Sequence, residues 1–353
     1  MKTLRLHLDP AHLETPASRE ALERAADILR AGGLVALPTE TVYGLGANAL
    51  NQQAVERIFA AKRRPAWDPI IVHVASTSML AGLVAEVPEA ASRLMKAFWP
   101  GPLTLLLPRA PAVPDAVTAG RPLVGVRMPS HPVALELIRR AGVPVAAPSA
   151  NLFGQISPTT GEHVLEDLDG RIDAVLDAGP TAHGVESTVL DPSTCPMVIY
   201  RPGAVTAEQI RAIAGPVELY RGSDDLVETP VEALPSPGVG LRHYAPKAKL
   251  VLVEGASDEL AAGLGKALGV RPGERVGVML PSEAAVPEGL SSCTIYRWGR
   301  WDAPEEMARS LYAGLRALDA QGCTLILCPL PPAEGIGAAI RDRLRKAAYS
   351  GKE

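Results

Sequence analysis

The feature that most narrows what this chain can fold into is a break. Arg221 to Lys247 carries Gly222, Pro230, Pro235, Pro237, Gly238, Gly240 and Pro246 with no sustained apolar period. Turn formers at that density cannot continue a helix or a central strand, so the chain divides there into a longer and a shorter part. A segment this long without regular structure is more often functional than idle. The 353 residues suffice for about two domains at roughly 150 residues each. The expected organisation is a first domain over 1–220, a linker over 221–247 and a second domain over 248–353.

Both parts alternate apolar strands with amphipathic helices. In the first, Leu22, Ala25, Ala26 and Leu29 fall on one face of a helix over Ser18–Leu29, which Gly32-Gly33 ends. Asn51 is placed to cap a second helix bearing Val55, Ile58 and Phe59, and further helices fit His131–Ala141 and Thr160–Leu168. Strands are expected at Leu34–Leu37, Ile70–Val74, Leu103–Leu107, Leu123–Arg127, Val143–Ala147, Ala174–Leu176, Thr188–Leu190 and Val198–Arg201. So many strands with so few helices predict a mixed, twisted sheet. Beyond the break, strands at Leu250–Val253, Val276–Leu280 and Leu325–Leu327 alternate with helices at Asp258–Leu268, Pro304–Leu318 and Ala338–Ala348. That rhythm predicts a small doubly wound, Rossmann-like α/β domain.

Composition removes several classes of function. With 47% hydrophobic and 21% charged residues the chain folds rather than staying disordered. No apolar run reaches the ~18 residues of a membrane helix, and Met1 to Pro10 lacks the apolar core of a secretory leader, so a cytoplasmic setting is expected. A net charge of −4 argues against a protein that coats nucleic acid, while leaving room for one local basic pocket. Cys195, Cys293, Cys323 and Cys328 form no CxxC pair, so buried reduced thiols are expected, not a zinc site.

Gly44-Leu45-Gly46-Ala47-Asn48-Ala49 fits the dinucleotide fingerprint, but Pro38 to Tyr43 separate it from the preceding strand and the helix begins only near Gln52. Gly263-Leu264-Gly265-Lys266 lacks the spacing of a phosphate-binding loop, and Ser149 does not sit in a nucleophile elbow. What remains is a series of polar residues at the carboxyl ends of apolar strands, where open α/β sheets bind ligands. Pro38-Thr39-Glu40-Thr41-Val42-Tyr43-Gly44 follows one strand and reads equally as a structural loop or a site, with glycines that would let a ligand approach the backbone. Lys62-Arg63-Arg64-Pro65 either complements a helix dipole or, with Pro65 stopping the helix, places cations at a loop mouth for a polyphosphate. His73, after three apolar residues, reads alone as a core histidine. Arg127, ending an apolar strand, must reach solvent or find an anion. Pro148-Ser149-Ala150-Asn151, Ser157-Pro158-Thr159-Thr160, Glu186-Ser187-Thr188-Val189 and Arg201-Pro202-Gly203 bracket further elements, and Thr159 or Thr160 suits an N-cap. The recurrence of Lys62, Arg64, Arg127 and Arg201 at element ends points to an anionic ligand.

These blocks, with Pro69-Ile-Ile-Val-His73 and Val126-Arg127-Met-Pro129, stand in the order and approximate spacing of a YrdC-like domain. Together with Ser236-Pro237-Gly238 and Arg242-His243-Tyr244-Ala245-Pro246 they resemble the two-domain threonylcarbamoyl-AMP synthases. The resemblance is dense over the first two hundred residues and the linker; over the last hundred it rests on the α/β rhythm. It implies a synthase joining L-threonine, bicarbonate and ATP into threonylcarbamoyl-adenylate and pyrophosphate. Other proteins then transfer the threonylcarbamoyl group to an adenosine beside the anticodon, and tRNA is a further candidate partner. Carried over motif by motif, Thr41, His73, Arg127, Ser149 and Ser187 would hold L-threonine. Lys62, Arg64, Asp68, Ala147 (through its backbone), Ser157, Arg201 and His243 or Tyr244 would line ATP. Asp68 departs from the family's usual Asn, and Leu123 from a small hydroxyl residue.

Such a reaction needs alignment and charge neutralisation rather than a protein nucleophile, so Lys62 and Arg64 are expected to stabilise charge and no general acid or base is assigned. Mg²⁺ is expected on the ATP phosphates, with no dedicated metal cage. The cationic and aromatic tip of the linker suits a segment that covers the site. Two rivals follow from the same domain: an RNA-binding module without chemistry, and a carbamoyl-transfer step in a larger maturation enzyme. The second expects zinc-finger cysteine pairs or an acylphosphatase-like start, which this chain lacks.

Overall fold

The computed structural model describes residues 2–220, 234, 236, 239, 243–255, 259–269 and 273–349. Contacts separate two compact units, one of Met1–Phe153, Ser157–Ala182 and Glu186–Gly240, the other of Gly154–Ile156, His183–Val185 and Leu241–Glu353. The division falls within the stretch read as a linker. Most of that stretch, including Pro237, Gly238 and Arg242, lies outside the described residues, as does Asp258.

The first unit runs β1 (Leu4–His7), α1 (Pro16–Arg30), β2 (Val35–Leu37), β3 (Gly44–Asn48), α2 (Gln52–Lys62), β4 (Val72–His73), α3 (Glu89–Phe98), β5 (Leu103–Pro108), α4 (Asp115–Thr118), β6 (Leu123–Arg127), α5 (Pro132–Ala141), β7 (Val145–Ala146), α6 (Gly161–Leu168), β8 (Ala174–Asp177), β9 (Thr188–Asp191), β10 (Met197–Arg201), α7 (Ala207–Ala214) and β11 (Val217–Leu219). Its strands form one mixed sheet in the order β1-β8-β2-β3-β7-β4-β6-β5-β9-β10-β11. The period-2 alternation of each strand sorts its side chains between two layers. Val35, Leu37 and Val145 pack with Leu22 and Leu29 of α1 and Leu137 and Ile138 of α5. Ala36, Leu45, Val72, Leu105 and Val126 face the other way, onto Val55 and Ile58 of α2 and Leu94 of α3.

The expected helices are present, and their caps have local causes. Asn51 Oδ1 accepts from Ala54 N–H, His131 Nδ1 from Val133 N–H, and Thr160 rather than Thr159 caps α6 through His163 N–H. Two expected strands are shorter than read. Ile70 N–H bonds to Val117 O, so that end of its run serves the end of α4, while Ala147 N–H on Ile71 O continues the β4–β7 register by only one pair. Strands β1, β3 and β11 and helices α3 and α7 add to the sequence reading. The glycines of the Gly44–Ala49 block are not loop residues opened to a ligand. They lie in β3, where a Cβ on Gly46 would come within 2.8 Å of Val145 and 2.9 Å of Leu37.

The second unit holds β12 (Lys249–Val253), α8 (Leu260–Leu268), β13 (Val276–Leu280), β14 (Thr294–Arg297), α9 (Pro304–Ala320), β15 (Leu325–Pro329) and α10 (Gly337–Ala348). Its four strands are parallel throughout, in the order β12-β15-β13-β14. Val276, Val278, Leu280, Leu325 and Leu327 meet Leu260 and Leu264 of α8. Gly277 and Met279 point oppositely, toward Leu318 and Gly314 of α9. Helices therefore cover both faces, the doubly wound arrangement the alternation predicts. Among the described residues no helix is long and apolar enough to cross a membrane.

One close approach holds the candidate site in shape. A Cβ on Gly203 would stand 2.3 Å from Thr188 N, 2.6 Å from Ser187 C and 2.7 Å from Glu186 O, all backbone atoms that cannot swing aside. Gly203→Ala should therefore lower stability by at least ~2 kcal/mol, read as a reduced denaturant midpoint with unchanged slope. A midpoint equal to that of the parent would contradict this packing.

Candidate active site

In the first unit, strand pairing gathers residues from separate sequence blocks. β4 and β6 are parallel neighbours with His73 opposite Arg127, so the two side chains leave the sheet on the same face. Arg127 donates from Nη1 to Thr41 Oγ1 (3.0 Å) and from Nε to Gly101 O (3.3 Å). Its Nη2 stands 2.6 Å from Glu40 Oε1, with both side chains buried. The anion that an arginine at the end of an apolar strand demands is thus Glu40, a residue quoted in its motif but given no role by the sequence reading. Burial pushes the Glu40 carboxyl up, but the Arg127 charge outweighs it and holds the group below its usual range. Burial, reinforced by the Arg127 charge, drives His73 down to about 3, so its imidazole is neutral.

A second group forms around the end of α2. The helix ends because Arg63 takes the left-handed conformation at φ 53°, with Arg64 N–H bonded back to Phe59 O; Pro65 follows the stop rather than causing it. That turn sends Lys62 inward, where Nζ donates to Ser149 O and Asn151 O, each at 2.5 Å. Lys62 is almost wholly buried, and burial, then the Arg64 charge, place its pKa well below the ordinary lysine value. Arg64 Nη2 pairs with Asp68 Oδ2 at 3.0 Å and donates to Pro69 O at 2.8 Å. Burial raises the Asp68 carboxyl, and the charges of Arg64, Lys62 and Arg201 oppose that rise. Lys62 thus braces the Pro148–Asn151 loop, which a bridge from Ser149 to Gly44 and a bond from Ala150 N–H to Tyr43 O lay alongside β3.

A third group joins strand ends. Arg201 donates from Nε to Ser187 O (3.0 Å) and from Nη2 to Ser187 Oγ (3.1 Å), and Ser187 Oγ shares a hydrogen bond with Thr104 Oγ1 at 2.8 Å. A register shift between Ile199 and Arg201 in the β9–β10 pairing re-aims this arginine. Ser157 Oγ donates to Glu186 Oε1 at 2.6 Å. Thr104 and Glu186 had no role in the sequence reading. Each is a lone polar side chain at an apolar strand, visible as a type but not as a partner.

The structure thus brings Thr41, His73 and Arg127 together, and joins Lys62 to Ser149, Arg64 to Asp68, and Arg201 to Ser187. Ala147 lies buried beside them with its N–H on Ile71 O. His243 and Tyr244 belong to the second unit. There Tyr244, at φ 64°, stacks on Tyr312 at 5.7 Å with the Arg343 guanidinium 5.3 Å from its ring centre, and His243 lies 5.6 Å from it. Neither Tyr312 nor Arg343 was singled out from sequence. Among the described residues no three His, Cys, Asp or Glu side chains stand together as a metal cage.

A neutral buried His73 ties stability to pH. Between its ordinary pKa of 6.5 and about 3, the unfolded chain takes up a proton that the folded chain refuses. Unfolding free energy should therefore fall as pH drops from 6.5, by up to ~1.4 kcal/mol per pH unit from this residue. Denaturant titrations at pH 6.5 and 5 should show that slope, and His73→Phe should lack it; identical slopes would place the proton elsewhere.

Comparison with known proteins matches residues 27–203 to the family described as "Telomere recombination", that of Sua5, YciO and YrdC. Residues 205–349 match "Threonylcarbamoyl-AMP synthase, C-terminal domain". The threonylcarbamoyl-AMP synthase of Bacillus subtilis is 46% identical over 352 residues, covering 99% of this chain and 98% of its own. That of Pyrococcus abyssi is 43% identical over 326 residues, covering 92% and 93%. A crystal structure of P. abyssi Sua5 complexed with L-threonine superposes with a TM-score of 0.84 at 40% identity, covering 99% of this chain and 98% of the other. Likeness across both units and nearly the whole length of each relative means that the chain belongs to the threonylcarbamoyl-AMP synthase family.

Proposed function

We propose that this protein is an L-threonylcarbamoyladenylate synthase, a nucleotidyltransferase acting on L-threonine, bicarbonate and ATP. The observation that carries the reading is the gathering of Thr41, His73 and Arg127 at one buried strand end, in a chain alike over its whole length to a relative complexed with L-threonine. In this reading Arg127 receives the α-carboxylate, with Thr41, His73, Ser149 and Ser187 around the rest of the amino acid. Lys62, Arg64, Asp68, Ala147, Ser157 and Arg201 line the nucleotide. The places of His243 and Tyr244 at the nucleotide rest on the resemblance of the linker motif alone.

The threonine ammonium gives up a proton to solvent, and the resulting amine combines with bicarbonate, with loss of water, into a carbamate. A carbamate oxygen attacks the α-phosphorus, its bond to the bridging oxygen breaks, and pyrophosphate leaves. The chain's part is alignment and charge neutralisation, with cations at the phosphates and a neutral imidazole by the amino acid. Mg²⁺ would be held chiefly by phosphate oxygens and water, as suits a hard cation that keeps several waters. The adenylate would then pass to proteins that modify tRNA beside the anticodon, in the cytoplasm.

Pyrophosphate release from ATP and bicarbonate tests the reading. It should depend on L-threonine, with L-serine and L-alanine giving far less. Lys62→Met should lower kcat/KM for ATP about 10²–10³-fold. Folded protein with Mg²⁺ that releases no pyrophosphate with any amino acid, yet binds RNA with steep salt dependence, would favour the RNA-binding alternative.

A further inference from the structure

Three polar side chains of the first unit's interior share an unusual state. No well-aligned hydrogen bond reaches either carboxylate oxygen of Glu40, Nδ1 of His73 or Nη2 of Arg127, all of them buried, although the backbone of Glu40 and Ser130 lies against the Glu40 carboxylate and that of Ile71 and Val145 against the His73 ring. Roughly 90% or more of buried polar groups in native proteins are hydrogen-bonded, so three exceptions in one place ask for a common cause. One place it is: His73 and Arg127 are register partners on neighbouring strands, and Glu40 Oε1 stands 2.6 Å from Arg127 Nη2.

The charges of this cluster sum to zero. Arg127 carries +1 and Glu40 −1, and the imidazole of His73 is uncharged. A buried pair in balance accepts a further net charge only at a heavy desolvation cost. A simple carboxylic acid would bring −1, whereas an α-amino acid brings both signs and leaves the balance unchanged. Its ammonium sits on the carbon next to the carboxylate, so the residues that read the two groups must be neighbours, as Glu40 and Arg127 are. The other buried carboxylates of the site have different engagements: Asp68 pairs with Arg64, and Glu186 accepts from Ser157.

We propose that Glu40 is a specificity-determining residue that receives the α-ammonium of the amino-acid substrate, so that Glu40 and Arg127 together select a zwitterion. The inference rests on the threonine reading of the site. Because Glu40 is held below its usual range, it meets the substrate as a carboxylate partner for the ammonium rather than as an acceptor of its proton.

Isothermal titration of the full chain with L-threonine and with 2,3-dihydroxybutanoate of matching configuration, where a hydroxyl replaces the ammonium, tests it. The parent should bind threonine at least ~10²-fold more tightly. Glu40→Gln should weaken threonine by roughly 10²-fold and bring the two ligands within a few-fold of each other, while ATP affinity stays unchanged. Equal binding of the two by the parent would overturn the proposal. So would a variant that loses both ligands in equal measure, since Glu40 would then only support Arg127. Should Glu40→Gln not fold, Glu40→Asp keeps the charge but withdraws it by one carbon, and must weaken threonine without weakening dihydroxybutanoate. A parent that binds no threonine strikes the functional reading itself. A parent that prefers threonine, with a Glu40→Gln variant that keeps the same preference, strikes only the role of Glu40.

Discussion

Glu40 and Arg127 meet 2.6 Å apart in the interior of the larger unit, and their surroundings are arranged around that contact. Taking two charges out of water is costly, and losing one partner of such a pair costs about 3–5 kcal/mol. The guanidinium is fixed on three sides, by Glu40, by the Thr41 hydroxyl and by the Gly101 carbonyl. This orientation needs the β2–β3 turn to lie beside the end of β6, which the pairing of β3 with β7 and of β7 with β4 enforces. Strand order therefore decides whether the pair forms, and the pair makes other strand orders costly.

Around that pair the site uses backbone as much as side chains. Lys62 is spent on two carbonyls of the Pro148–Asn151 loop, and Arg201 on both groups of Ser187. These cations hold loops in place while their charge acts on the space between. In the proposed function, a cation kept in this low-dielectric interior would interact with a nucleotide phosphate more strongly than an exposed one, and would need little reorganisation to do so. The same burial lowers the pKa of Lys62 and raises that of Asp68, so charge in this site is sensitive to anything that enters it.

Much of the fold was legible because its causes are local. The apolar stripes of α1 and α5, the cap at Asn51 and the apolar runs of β2 and β5 need only the neighbouring sequence to be read. Helices α3 and α7 carry local signals too, an apolar stripe of Ala91, Leu94 and Met95 and a Thr206–Gln209 capping box, whereas the strands that escaped reading have weak ones. β3 is a strand made of Gly-Leu-Gly-Ala-Asn, and its glycines are there because Val145 and Leu37 leave no room for a Cβ. β1 and β11 are short edge strands, Leu-Arg-Leu-His and Val-Glu-Leu, in which only Val217 is buried. The site residues divide in the same way. Arg127, Lys62 and Arg64 stand out because a cation ending an apolar element demands an explanation. Glu40, Thr104 and Glu186 acquire one only when their partners, dozens of residues away, come into view.

The sequence by itself determined most of the helices and the central strands, the break in regular structure at the Gly- and Pro-rich segment, the two α/β architectures and the inventory of cations and hydroxyls at strand ends. These follow from side-chain periodicity, turn chemistry and residue charge, which act over a few residues at a time. The tertiary structure alone decided which of those groups meet: Glu40 with Arg127, Lys62 with the Ser149 carbonyl, Arg201 with Ser187, Tyr244 with Arg343. Such pairings depend on strand order and register, set by how the whole chain buries its apolar faces, and no short-range pattern encodes them.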